Sequence, residues 1–177
     1  MAIPEIKRLY LIRHCESREM AGEEPSRPRG DPSLSLNGVR QAERLAGFLR
    51  PAPIDLILTS LFQRAQETAA VLNRDRDIPV FASMALNEYF LRDDGSGVET
   101  CEQGLARCQG FLQQFSSYYE HIALVAHNAI LATLLRSILN LPFDEARDFG
   151  GPGACRVLRY DYLQGDQNWR CVDSFTP

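Results

Sequence analysis

The stretch LYLIRHCES, residues 9–17, runs from apolar residues directly into Arg13, His14, Cys15 and Glu16. A cation, an imidazole, a thiol and a carboxylate in a row are costly to desolvate unless they face a ligand. Two other apolar runs end in a similar way. IDLILT (54–59) leads into Thr59-Ser60, with Arg64 one turn further on, and IALVAH (122–127) ends on His127. In an open α/β sheet, ligands bind beyond the carboxyl ends of the parallel strands, where helix N-termini also present free N–H groups. The three ends are therefore expected to converge, which brings two histidines and two arginines together.

Two guanidinium forks suit a phosphoryl group, because their charge and planar donor geometry match its oxygens bidentately. Positive surroundings keep a nearby imidazole neutral and nucleophilic near pH 7, and a second imidazole can then donate a proton to a phosphate oxygen. The expectation is a phosphate site. With three histidines in the chain and no carboxylate cluster beside the basic residues, a two-metal hydrolytic centre is hard to build, so neither metal nor cofactor is expected.

The elements that must position these groups alternate. RLYLIR (8–13) reads as a strand and LSLNGVRQAERLAGFLR (34–50) as a helix, with Ser35 as its N-cap and Leu45, Phe48 and Leu49 on one face. IDLILT (54–59) is the next strand and LFQRAQETAAVLN (61–73) the next helix. A short strand follows at 78–81, then a long helix over 99–120, a strand over 122–127 and a helix over 129–139. The tail alternates apolar and polar residues over 155–162 and 169–175, as an antiparallel hairpin does. The fold class expected is α/β: a three-layer αβα sandwich whose mostly parallel central sheet ends in a C-terminal antiparallel hairpin, all in a single domain spanning 1–177.

At 177 residues, 45% hydrophobic and 24% charged, the chain has the composition of one globular domain. A net charge of −4 argues against a broad nucleic-acid surface and leaves room for a local cationic pocket, so the partner expected is small. No apolar run approaches the ~18 residues of a membrane helix, and a cytoplasmic location is expected. Oligomeric state stays open. Five scattered cysteines, Cys15, Cys101, Cys108, Cys155 and Cys171, show no paired spacing and argue against a disulfide framework or a zinc knuckle. Cys101 and Cys108 read as buried core thiols. The Pro-, Gly- and charge-rich segment 18–33 reads either as a solvated loop or as a flap that brings Arg27 or Arg29 to an anion.

LIRHCES resembles the strand-end Arg-His-Gly-Glu signature of the histidine phosphatase superfamily, the phosphoglycerate-mutase-like proteins. GDPSLSLNGVRQA (30–42), TSLFQRAQETA (59–69) and LVAHNAIL (124–131) resemble its later motifs in order and spacing. The resemblance implies a metal-independent phosphatase, a phosphomonoesterase that works through a phosphohistidine on a small phosphorylated substrate. Arg13, Arg64 and His127 would hold the phosphoryl oxygens while His14 attacks phosphorus in line. Glu88 falls where the family keeps its general acid, with Asp93, Asp94 and Glu99 as rivals nearby.

Departures from the family pattern are equally specific. Cys15 and Asn128 stand where glycines follow the two histidines, which places both among the candidate substrate-binding residues, and Met20 stands where many members put an asparagine on the phosphate. Cys15 can face the pocket or fill the core. Leu61, Phe62 and Glu67 also depart from the pattern, at positions expected to serve packing and the turn. The mutase branch carries longer insertions, for which this chain has little spare length, so a mutase and a catalytically impaired phospho-ligand binder are the alternatives.

Overall fold

The computed structural model describes residues 6–25, 30–88, 99–139, 155–163 and 168–177. Strands β1 (Arg8–Arg13), β2 (Leu56–Thr59), β3 (Val80–Ala82), β4 (His121–Ala126), β5 (Val157–Leu163) and β6 (Asn168–Phe175) form one sheet in the order β3-β2-β4-β1-β5-β6. β1, β2, β3 and β4 are parallel neighbours, while β5 runs antiparallel to both β1 and β6. The register sets Arg13 opposite Ala126 and Thr59 opposite Val125, so the carboxyl ends of β1, β2 and β4 lie side by side.

Helices cover both faces, which gives the three layers. Leu9, Leu11, Leu56, Leu58, Ile122 and Leu124 point into a core with α3 (Cys101–Gln113) and α4 (Asn128–Leu139). Tyr10, Ile12, Ile57, Ala123 and Val125 point into a second core with α1 (Leu36–Leu49) and α2 (Gln63–Asn73). Strands buried on both faces read as unbroken apolar runs, and this is why RLYLIR and IALVA lack alternation. Phe48, expected on the buried face of α1, is partly exposed and stacks on Phe175 of β6 at a centroid distance of 4.3 Å.

Helix starts follow local chemistry. Ser35 caps α1 by accepting from the Gly38 N–H, and Thr100 and Gln103 form a reciprocal capping box on α3. α3 stops at Gln113, short of the expected 120, and Ser116 Oγ donates to the Gln113 carbonyl, one of the acceptors the helix end leaves over. From Phe111 within α3, ring contacts pass to Phe115 and on to Tyr119 beyond the helix end.

The cysteine expectation needs one correction. Cys15 and Cys155 form a disulfide across 140 residues of sequence, with both side chains fully buried. No spacing rule reveals such a pair, because the sheet makes it by setting the end of β1 beside the start of β5. Cys108 is free and buried, its thiol pushed up to about 12 by burial, whereas Cys171 is exposed. The Cys101 side chain lies outside the described residues. Among those residues, no helix is long and apolar enough to cross a membrane.

Glu16 joins β1 to α1. Its carboxylate accepts from Ser35 Oγ at 2.6 Å and Asn37 Nδ2 at 3.2 Å, and its carbonyl accepts from the Ser35 N–H at 2.9 Å. A Cβ on Gly38 would collide with the Glu16 carbonyl, so only glycine lets the helix approach this closely. Gly38→Ala is expected to destabilise the protein by about 2 kcal/mol through the forced displacement of α1, read as a lower urea midpoint in equilibrium unfolding.

Candidate active site

The strand ends deliver their side chains into one place. After β1, the His14 N–H donates to the Ala126 carbonyl at 2.9 Å, and after β2 the Ser60 N–H donates to the Val125 carbonyl at 3.1 Å. These bonds fix the first residue beyond each strand. His14 and His127 are 5% and 1% exposed, and their ring centroids lie 5.0 Å apart.

Partners assign the tautomers. His14 Nδ1 lies 2.8 Å from the Cys15 carbonyl, which can only accept, so Nδ1 carries the proton and Nε2 keeps its lone pair. Arg64 Nε donates to that Nε2 at 3.2 Å. Arg64 Nη2 also lies 3.4 Å from His127 Nδ1, which must therefore accept, and His127 Nε2–H then donates to Ser60 Oγ at 2.7 Å. One guanidinium thus addresses both imidazoles. Its remaining Nη1 is buried without a hydrogen bond among the described residues and sits 3.8 Å from Asp31 Oδ1. Asp31 also accepts from the Gln63 N–H at 2.7 Å, which holds the start of α2 in place.

Burial is the largest cause that holds His14 down to about 3, followed by the Arg64 charge, with Arg13 adding to it and the Cys15 carbonyl opposing. His127 is held well below its usual value by burial first, then by His14, Arg64 and Arg13. Burial also lowers Arg13 and Arg64; Glu88 counters it at both, and Asp31 and Glu19 counter it at Arg64. Both imidazoles are neutral near pH 7.

Glu88 follows a 3-10 turn at Met84–Leu86, and its two carboxylate oxygens accept from the Ala129 and Ile130 N–H groups at 3.1 Å each. These are the unpaired donors of the first turn of α4, where a negative charge is favoured. The structure therefore gathers Arg13, His14, Arg64, Glu88 and His127, drawn from β1, α2, the segment before residue 89 and β4. Glu99 is engaged elsewhere, in a bidentate pair with Arg107 at 2.6 and 2.8 Å, while Asp93, Asp94, Arg27 and Arg29 lie outside the described residues.

Of the two places open to Cys15 the structure gives the core, and Phe62 takes a further role. Cys15 is not a lining residue: its sulfur is bonded to Cys155 in the core beneath α1 and α2, and only its backbone reaches the site, through the carbonyl on His14. Phe62, expected to serve packing, instead carries the Arg64 guanidinium at 4.7 Å from its ring centroid and meets the His127 ring edge-on at 5.0 Å. Asn128 opens α4 with a buried Oδ1 that has no hydrogen-bond partner among the described residues, and Met20 is 36% exposed. Ser60 and Asp31 had no assigned role in the sequence, although the hydroxyl at a strand end was a signal for Ser60. Among the described residues, no three His, Cys, Asp or Glu side chains group so as to hold a metal ion.

Neutral buried imidazoles tie stability to pH. Between pH 6.5 and about 3, the unfolded chain protonates His14 and the folded chain does not, so stability is lost as pH falls through that window and is flat above it. His14 alone should remove about 2 kcal/mol between pH 6.5 and 5. Urea unfolding at pH 7 and pH 5 is expected to show this slope in the native protein and a smaller one in His14→Gln.

Comparison with known proteins agrees with this geometry. The sequence model of the histidine phosphatase superfamily (branch 1) matches residues 9–93 and 91–174. The adenosylcobalamin/alpha-ribazole phosphatase of Escherichia coli K12 is 27% identical, over 84% of this chain and 87% of that protein. The glucosyl-3-phosphoglycerate phosphatase of Mycolicibacterium vanbaalenii is also 27% identical, over 84% and 81%. The fold superposes on a mycobacterial glucosyl-3-phosphoglycerate phosphatase solved with VO3, with a TM-score of 0.79 at 22% identity over 94% of this chain and 98% of that one. A protein with two arginines, two neutral histidines and a helix-held glutamate at the strand ends, matched by that sequence model along most of its length, belongs to the histidine phosphatase superfamily, branch 1.

Proposed function

We propose that this chain is a metal-independent phosphomonoesterase that acts in the cytoplasm on a small phosphorylated substrate through a phosphohistidine. The observation that carries the reading is the His14 tautomer: Nδ1–H is spent on the Cys15 carbonyl, and the Nε2 lone pair is presented beside Arg64. Nε2 attacks phosphorus as the bond from phosphorus to the leaving oxygen breaks. Arg13 and Arg64 carry the charge of the non-bridging oxygens, with Arg64 Nη1 a donor still available for one of them, and His127 donates to another by turning its Nε2–H from Ser60 Oγ to the incoming anion.

Glu88 in its acid form gives its proton to the leaving oxygen, so the alcohol departs neutral. The resulting carboxylate then takes a proton from water as that water attacks the phosphohistidine, the phosphorus–nitrogen bond breaks, and phosphate and neutral His14 are restored. Two of the relatives are named for the phosphatase reaction on small phosphorylated molecules, which supports hydrolysis over mutase transfer.

His14→Ala should abolish turnover of p-nitrophenyl phosphate and the acid-labile, base-stable phosphoenzyme seen after rapid quench, both assayed in EDTA. Retention of substantial turnover in His14→Ala would move the nucleophile elsewhere. Glu88→Gln should slow an alkyl phosphate by about 100-fold or more while aryl phosphate turnover falls far less, because only a poor leaving group needs the proton in the transition state. Equal losses on the two esters would assign the acid to another group.

A further inference from the structure

Arg107 of α3 donates both to the backbone of residues 84–87 and to the Glu99 carboxylate. Nη1 donates to the Met84 carbonyl at 3.1 Å and the Ala85 carbonyl at 2.6 Å, and Nη2 donates to the Asn87 carbonyl at 2.8 Å. Nε and Nη2 also hold the Glu99 carboxylate at 2.6 and 2.8 Å. The carbonyls belong to the 3-10 turn and its exit, and that of Met84 also accepts from the Asn87 N–H at 3.0 Å. Their chain continues directly into Glu88.

We propose that Arg107 is a positioning residue for the general acid: it fixes the backbone that presents Glu88, while the Glu99 carboxylate orients its guanidinium. The Glu88 carboxylate accepts at its tip from the Ala129 and Ile130 N–H groups. Two bonds at the tip set where the oxygens rest, and the backbone sets how the group can tilt toward a leaving oxygen. Asn87 adds a third tie, with its Oδ1 accepting from the Leu61 N–H at 2.9 Å, so the segment is also registered against the loop that carries Phe62 and leads to Arg64. A planar guanidinium suits this task, since its fixed fork addresses a carboxylate and several carbonyls at once; a lysine ammonium places three donors around a single point.

This inference rests on Glu88 as the acid, and the test separates the two. Turnover of an alkyl phosphate and of p-nitrophenyl phosphate is measured for the native protein, Arg107→Met, Arg107→Lys, Glu88→Gln and the double variant Arg107→Met/Glu88→Gln. Arg107→Met should lower alkyl phosphate kcat at least tenfold and aryl phosphate kcat less than threefold, with the KM of both esters little changed. Arg107→Lys should recover part of the loss. The double variant should be no slower on the alkyl ester than Glu88→Gln alone, because a misplaced acid costs nothing once the acid is gone. Equal losses on both esters in Arg107→Met and Arg107→Lys, with Glu88→Gln still discriminating between them, would overturn the positioning role. Absence of discrimination in Glu88→Gln would instead remove the acid assignment on which it stands.

Discussion

Two imidazoles kept uncharged in a water-poor pocket beside two guanidinium groups set the conditions for the rest of this molecule. A protonated His14 or His127 would face Arg64 and Arg13 at short range with little solvent to screen them. The fold meets that constraint by giving each ring a fixed partner: a carbonyl for His14 Nδ1, a serine hydroxyl for His127 Nε2, and one shared arginine for the two remaining nitrogens. The charge left over is then directed at whatever anion enters. Parallel strands that end in register put those partners within reach, and the two cores on either face of the sheet hold the strands there.

Much of this was legible in the residues. The convergence of the three strand ends followed from chain topology alone, and Ser35 announced the start of α1 because a cap needs only its own neighbours. Glu88 could be placed by its distance from the preceding strand, but its hold on the α4 N-terminus depends on a contact 41 residues away. The Cys15–Cys155 bond shares that property, whereas the ring of Phe62 against Arg64 and the Ser116 hydroxyl on the Gln113 carbonyl are local contacts that no periodicity encodes.

The substitutions that set this chain apart from the family pattern are absorbed in different ways. Cys15, in place of glycine after His14, turns its side chain into the core and meets His14 through its backbone carbonyl. Phe62 gives Arg64 a flat surface to lie on, as a cation over a ring face does.

The bond between Cys15 and Cys155 has a topological consequence. It closes residues 15 to 155 into a covalent ring that contains Arg64, Glu88 and His127, with Arg13 and His14 attached at its edge. A protease that cuts the backbone once anywhere inside that ring linearises it without dividing the molecule. Both arginines, both histidines and the glutamate then stay on one covalent body, and a thiol reductant is needed to part the pieces.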